Sequence, residues 1–120
     1  MNDAIFSFGT LQLDGVQRSL FGRAVPTTPD ALRGWTVGQL TILDPEVITL
    51  SGTDIHPALV ATGRPEDVVE GAVLDVSAAE LAAADHYERV SYRREAVTLV
   101  SGRRAWIYVA RAPVAPPDRG

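Results

Sequence analysis

Apolar positions in this chain fall mostly into short runs rather than long helical stripes. Ala4-Ile5-Phe6-Ser7-Phe8 is apolar and aromatic-rich and stops at Gly9, which predicts a first strand. Asp14 with Gln17 three residues later has the spacing of a capping box, so a short helix is expected from Gly15 to Phe21, ending at Gly22. Pro26 and Pro29 interrupt the next segment, and Leu32 to Ile42, with Trp35 and Val37, reads as a strand. Asp44-Pro45 predicts a turn and Val47 to Leu50 another strand, ending at Ser51-Gly52. His56-Pro57 opens an extended run through Leu59, Val60 and Ala61. A polar loop follows over Gly63 to Asp67, then a β-type segment over Val68 to Val76. Ser77 and Glu80 form a second capping box and start the best helix in the chain, Ala78 to about Glu88. Tyr92 to Val100, a turn at Ser101-Gly102-Arg103, and Ala105 to Ala110 read as a β-hairpin.

Six or so strands and two helices, without regular alternation, argue against a doubly wound parallel sheet. The expected fold is α+β: a small, mostly antiparallel β-barrel or strongly curled sheet with flanking helices. A length of 120 residues suits one domain, placed at 1–112, with three prolines marking 113–120 as a flexible tail. No segment approaches the roughly 20 apolar residues that cross a bilayer, and the N-terminus lacks a basic start before an apolar run. A cytoplasmic protein without membrane contact is expected, present as a monomer or weak homodimer.

Composition narrows the chemistry. The chain has no Cys, which removes thiolate nucleophiles, Cys-based metal centres and disulfides. All 11 basic side chains are Arg, so Schiff-base lysines and lysine-bearing phosphate loops are excluded. His56 and His86 are the only histidines, too few for a three-His metal site. A net charge of -4 argues against a nucleic-acid partner. Carboxylates, hydroxyls, imidazole and backbone groups are left.

On the helix after Ser77, positions 81, 84, 85 and 88 share one stripe, with Leu81 as the core anchor and the carboxylates Asp85 and Glu88 below it. A carboxylate on a core-facing stripe is costly unless it is paired, hydrogen-bonded or working in a cavity. Burial and the negative end of the helix dipole would both raise the pKa of Glu88, as a general base near neutral pH requires. Taken alone, an ordinary ion cluster of Glu88 with Arg89, Arg93 or Arg94 is the commoner arrangement. A second feature is Phe8-Gly9-Thr10-Leu11 at the end of the first strand. Glycine there allows a sharp turn, and consecutive amides at such a turn can hold a carboxylate or a developing oxyanion. Alone, it is common turn punctuation.

Taken together, these segments resemble one family. Phe8-Gly9-Thr10-Leu11 is similar to the Tyr-Gly-Thr/Ser-Leu signature of the γ-glutamylcyclotransferase-like superfamily, in its plant avirulence-induced-gene-like branch, which includes γ-glutamylamine cyclotransferases. Asp85-His86-Tyr87-Glu88, with Tyr92-Arg93-Arg94 beyond it, resembles that superfamily's Asp-x-aromatic-Glu and Tyr-x-Arg pattern. Leu32 to Trp35, His56-Pro57-Ala58-Leu59 and Val69 to Leu74 match three further segments in the same order, so the resemblance spans about residues 4 to 110. It implies a compact barrel with a cavity at its mouth, Glu88 as catalytic acid/base, and Phe8, Gly9, Thr10 and Leu11 as binders of a glutamyl moiety. The implied reaction converts a small-molecule γ-glutamyl substrate to 5-oxoproline and a free amine, with no metal or cofactor.

Two positions depart from the family pattern: Phe8 and His56 each stand where tyrosine is usual. Tyr92 and Arg94 share a strand face, and Arg94 suits bidentate contact with a substrate carboxylate, although bracing the helix end is an equal alternative. His86 reads as a helix-surface residue and Asp75 as a capping or turn residue. Arg89, Arg93 and Arg94 are expected to join Arg103 and Arg104 in one solvated basic patch. A divergent domain that binds a small carboxylate or peptide without catalysis is the competing function.

Overall fold

The computed structural model describes residues 3–41, 55–89 and 91–111. Among these residues seven strands and two helices follow in the order β1 (Asp3–Ser7), α1 (Asp14–Phe21), β2 (Thr27–Arg33), β3 (Trp35–Thr41), β4 (Ile55–Ala61), β5 (Val68–Val76), α2 (Ala78–Glu88), β6 (Tyr92–Thr98) and β7 (Arg104–Ala110). A single 3-10 turn, Thr10–Gln12, leads from β1 toward α1. Five strands form a mixed sheet in the order β2-β5-β1-β7-β6, and β3 and β4 make a separate two-stranded ribbon. All ladders are antiparallel except β1 with β7, which run parallel with Ile5 opposite Trp106. The two helices and mostly antiparallel strands are as expected, but of the two expected forms, barrel or strongly curled sheet, no closed barrel is found among the described residues. The turn at Asp44-Pro45, the strand at Val47 to Leu50 and the tail at 113–120 lie outside the described residues.

Strand alternation sorts the core to the two faces of the sheet. Phe6, Val73, Ile107 and Val109 pack with Leu59 of the ribbon on one face. Ile5, Leu74 and Val76 pack with Leu81 and Ala84 of α2 on the other. A cover on both faces explains why β5 reads as a nearly continuous apolar run rather than alternating. Ala84 is fully buried, so the short alanine side chains on α2 let the helix lie close to the sheet.

The strand expected from Leu32 to Ile42 is, as far as the described residues reach (Thr41), two strands and not one. They are divided at Gly34, whose φ of 86° is open to glycine and strained for other residues. Its N–H donates to the Asp67 carbonyl (2.7 Å), while its carbonyl accepts from Thr62 (2.8 Å) and Gly63 (3.1 Å). The chain thus leaves the sheet and starts the ribbon within one residue. Pro29, read as a breaker, sits inside β2 opposite Ala72. β2 is an edge strand, where a missing N–H on the open side removes no ladder bond.

The two capping boxes fare differently. At α2 the Ser77 Oγ accepts from the Glu80 N–H (3.1 Å), and Glu80 Oε1 accepts from the Ser77 N–H (2.8 Å). At α1 the Asp14–Gln17 box does not form: Leu13 is the N-cap, without a side-chain bond. Gln17 is buried instead, its Nε2 donating to the Leu11 carbonyl (2.9 Å) and its Oε1 accepting from the Val25 N–H (3.0 Å). A buried amide satisfied on both atoms ties the segment after β1 to the segment before β2.

Candidate active site

The ladders put the C-terminus of α2, the start of β6 and the turn after β1 at one end of the sheet. β1 climbs from Asp3 opposite Val76 to Ser7 opposite Ala72, and α2 starts beside Val76 and runs the same way. β7 runs parallel to β1, and Tyr92 pairs with Ala110 at its far end. At this end β5 comes close to β1: a Cβ on Gly71 would fall on the Ser7 carbonyl oxygen and lie 2.9 Å from the Phe6 ring. Glycine at 71 therefore sets how tightly the strand before the Gly9 turn is held.

Glu88, in the last turn of α2, is half-buried, and burial pushes its carboxyl pKa up to about 7. Among the described residues no guanidinium forms an ion pair with it, so the alternative cluster with Arg89, Arg93 or Arg94 does not form. Tyr92 and Tyr108 are near enough to feel its charge. Burial and Glu88 hold the Tyr92 phenol up to about 12, while its hydroxyl donates to the Pro57 carbonyl of β4 (3.1 Å).

Arg94 does not stand free for a substrate carboxylate. Its Nη1 donates to Asp85 Oδ2 (2.8 Å), and its guanidinium lies 4.3 Å from the Trp106 ring centroid. The other Asp85 oxygen accepts from the Tyr108 hydroxyl (2.8 Å). Burial and Asp85 both raise the Tyr108 pKa. This cluster answers the second carboxylate of the helix stripe: Asp85 is paired and hydrogen-bonded, which leaves Glu88 as the stripe's unpaired acid. Tyr108 went unnoticed in the sequence, although a hairpin turning at Gly102 places it across from Arg94.

The Gly9 turn differs from the expectation. Gly9 does not have a positive φ, and its N–H donates to Ser7 Oγ (3.2 Å) instead of pointing freely at a ligand. Its carbonyl accepts from the Gln12 N–H (3.1 Å), closing the 3-10 turn, so Thr10 and Leu11 supply the leading amides, which have no partner within the turn. Nothing lies within 4 Å of a Cβ built on Gly9, so the backbone there faces open space. The Leu11 side chain is buried in the helix-side core, and Phe8 packs against the ribbon-side core.

Residues 5–119 match the family model described as Gamma-glutamyl cyclotransferase, AIG2-like. The chain belongs to this family. No curated protein matches the sequence of this cyclotransferase-family member. Its fold is that of solved structures at low identity. One is the solution structure of At3g28950.1 from Arabidopsis thaliana, with TM-score 0.71 and 24% identity over 92% of this chain. A second Arabidopsis thaliana protein, At5g39720.1, gives TM-score 0.71 and 21% identity over 92% of this chain and 69% of that one. A structure titled "Gamma-glutamyl cyclotransferase" gives 0.70 and 15% over 99% of this chain and 73% of that one. The chain spans 62% of the length of At3g28950.1.

The basic patch expected in the family member divides in two. Arg103 pairs with Asp75 near the hairpin turn, at the opposite end of β6 and β7 from Glu88. Arg89, Arg93 and Arg94 stay beside Glu88, where they join Arg111, a residue the sequence did not single out. Among the described residues no group of three His, Asp or Glu side chains is placed to hold a metal, and no helix is long and apolar enough to cross a membrane.

Proposed function

We propose that this chain is a cyclotransferase that acts on a γ-glutamyl amine or γ-glutamyl peptide and releases 5-oxoproline and a free amine. The observation that carries the reading is Glu88, a half-buried carboxyl held near neutrality by burial, at the sheet end that also bears the Gly9 turn. Ionised Glu88 takes a proton from the substrate's α-ammonium, and the amine then attacks its own γ-carbonyl carbon. The new C–N bond closes a five-membered ring. On collapse of the tetrahedral intermediate the original amide C–N bond breaks, and Glu88 returns its proton to the departing amine. The nucleophile is tethered to its target, so proximity supplies much of the rate. The Thr10 and Leu11 amides are suited to hold the developing oxyanion, and the space over Gly9 gives the glutamyl backbone room to approach.

The test is incubation of purified protein with γ-glutamyl amines, γ-glutamyl amino acids and glutathione, with 5-oxoproline as the readout. Turnover that disappears in Glu88→Gln while the fold persists supports the reading; full activity in that variant refutes it. One observation favours a second reading: Phe8 brings no hydroxyl to the turn, and Ser7 occupies the Gly9 amide. A binding domain without catalysis would show thermal stabilisation by members of the same panel and no product.

A further inference from the structure

Beside Glu88, between the last turn of α2 and the helix-side face of β6 and β7, lies an open cleft of about 500 Å³. Its charge is lopsided for a chain of net charge -4: Arg89, Arg93, Arg94 and Arg111 line it, against the single carboxylate of Asp85. Asp85 is spent on Arg94 and Tyr108. Arg93 reaches Glu95 only at 3.5 Å. Arg89 and Arg111 have no carboxylate partner among the described residues, yet neither is loose. Arg89 Nη1 donates to the His86 carbonyl (2.5 Å), and Arg111 Nε donates to the Arg89 carbonyl (2.8 Å). Each guanidinium is thus pinned through one nitrogen to the C-terminal end of α2, with its other N–H groups left to bond elsewhere. Trp106, with Arg94 stacked on it, and the phenols of Tyr92 and Tyr108 complete the walls.

Arg89 and Arg111, positioned guanidiniums without a carboxylate partner among the described residues, beside aromatic surface in a cleft of small-molecule size, make a receptor for a small organic anion. We infer that this cleft is an anion-binding site, distinct from the Gly9 turn, that takes a carboxylate or phosphate group of a small molecule. Capping the helix carbonyls accounts for one nitrogen of Arg89 and one of Arg111; it leaves the remaining donors and the excess charge unexplained. Tyr92 and Tyr108 line the cleft and also sense Glu88, so the anion would lie next to the proposed reaction centre. It is either the far end of a substrate's leaving amine or a separate molecule.

The test uses the whole chain and does not depend on turnover. Inorganic phosphate is titrated into isotopically labelled protein while the Trp106 indole N–H and the arginine Nε signals are followed by NMR. Saturable shifts in the millimolar range, weakened by added salt and by about tenfold or more in Arg89→Gln/Arg111→Gln, are expected. Because that double variant also removes two helix caps, Arg89→Lys/Arg111→Lys is measured beside it and should keep most of the binding. A second arm uses Glu88→Gln and compares a γ-glutamyl amino acid with the γ-glutamyl alkylamine that lacks its carboxylate. Tighter binding of the first, lost when both arginines are replaced by glutamine, identifies the anion as part of the substrate. Equal binding of the two with saturable phosphate binding identifies a separate anion. Shifts that do not saturate, or that are the same in the double glutamine variant, overturn the inference, and they do so whether or not the protein forms 5-oxoproline.

Discussion

Glu80 and Glu88 stand on the same helix, and their surroundings drive their acidities in opposite directions. At the N-terminal end Glu80 accepts two bonds from the Arg23 guanidinium (2.8 and 2.9 Å) and closes the capping box, and its pKa is held down at about 2. At the C-terminal end Glu88 has burial without a compensating cation, and its pKa rises to about 7. One residue type serves as a structural fastener at one end and, in the proposed reaction, as the proton carrier at the other. Partners, rather than the helix itself, decide which.

The largest expected difference between the two is catalytic. Glu88→Gln should lower 5-oxoproline formation by about 10³-fold, in the range of a lost general acid/base, while Glu80→Gln leaves turnover nearly unchanged. Equal losses in the two variants would show that helix integrity, not proton transfer, governs activity. The pH profile sharpens the same contrast. If ionised Glu88 is the base, kcat/KM should fall about tenfold per pH unit below the Glu88 pKa of about 7 and level off above it. Glu80→Gln should leave that inflection in place.

Stability should separate the two next, with opposite signs. Glu88 has a folded pKa above its ordinary value of 4.5, so the folded chain holds the proton more tightly than the unfolded one. Its contribution is full below 4.5 and is lost as the pH rises through about 7, a decline of about 3 kcal/mol that urea unfolding of Glu88→Gln should lack. Glu80 has a depressed folded pKa, so its contribution is present above 4.5 and is lost as the pH falls toward 2. A carboxyl-resolved NMR titration should place the two midpoints on either side of the ordinary glutamate value. The smallest effect is local: Ser77→Ala should cost about 1 kcal/mol, read as a shift in the unfolding midpoint without a change in the pH profile of activity.

What could be read from sequence alone follows the range of the interactions involved. The Ser77 box, the end of α1 at Gly22 and the hairpin turn at Gly102 are each decided within a few residues, and each stands where the pattern placed it. Glu88 was legible as an acid on a core-facing stripe because helical periodicity reports which face a residue shares. Gln17 was misread because a capping role and a buried bridging role have the same local spacing. Only the approach of Leu11 and Val25 decides between them. The pairing of Arg94 with Asp85 was not legible because the helix packing that brings them together is tertiary. The division at Gly34 was hidden for a similar reason. A glycine between apolar residues is compatible with one strand or two until the partners of each half are known.

The central position of β1 bears on how the chain is made. Asp3–Ser7 is synthesised before the strands it pairs with, yet it is walled in by β5 on one side and β7 on the other, with Ile5 beside Trp106. A nascent polypeptide cannot complete the pairing of this middle strand until β7 has left the ribosome. Until then the edge of β1 that faces β7 stays unpaired, although β5 can already cover the other. Contacts so far apart along the chain favour slow, late assembly, in which the earliest segment waits for the newest.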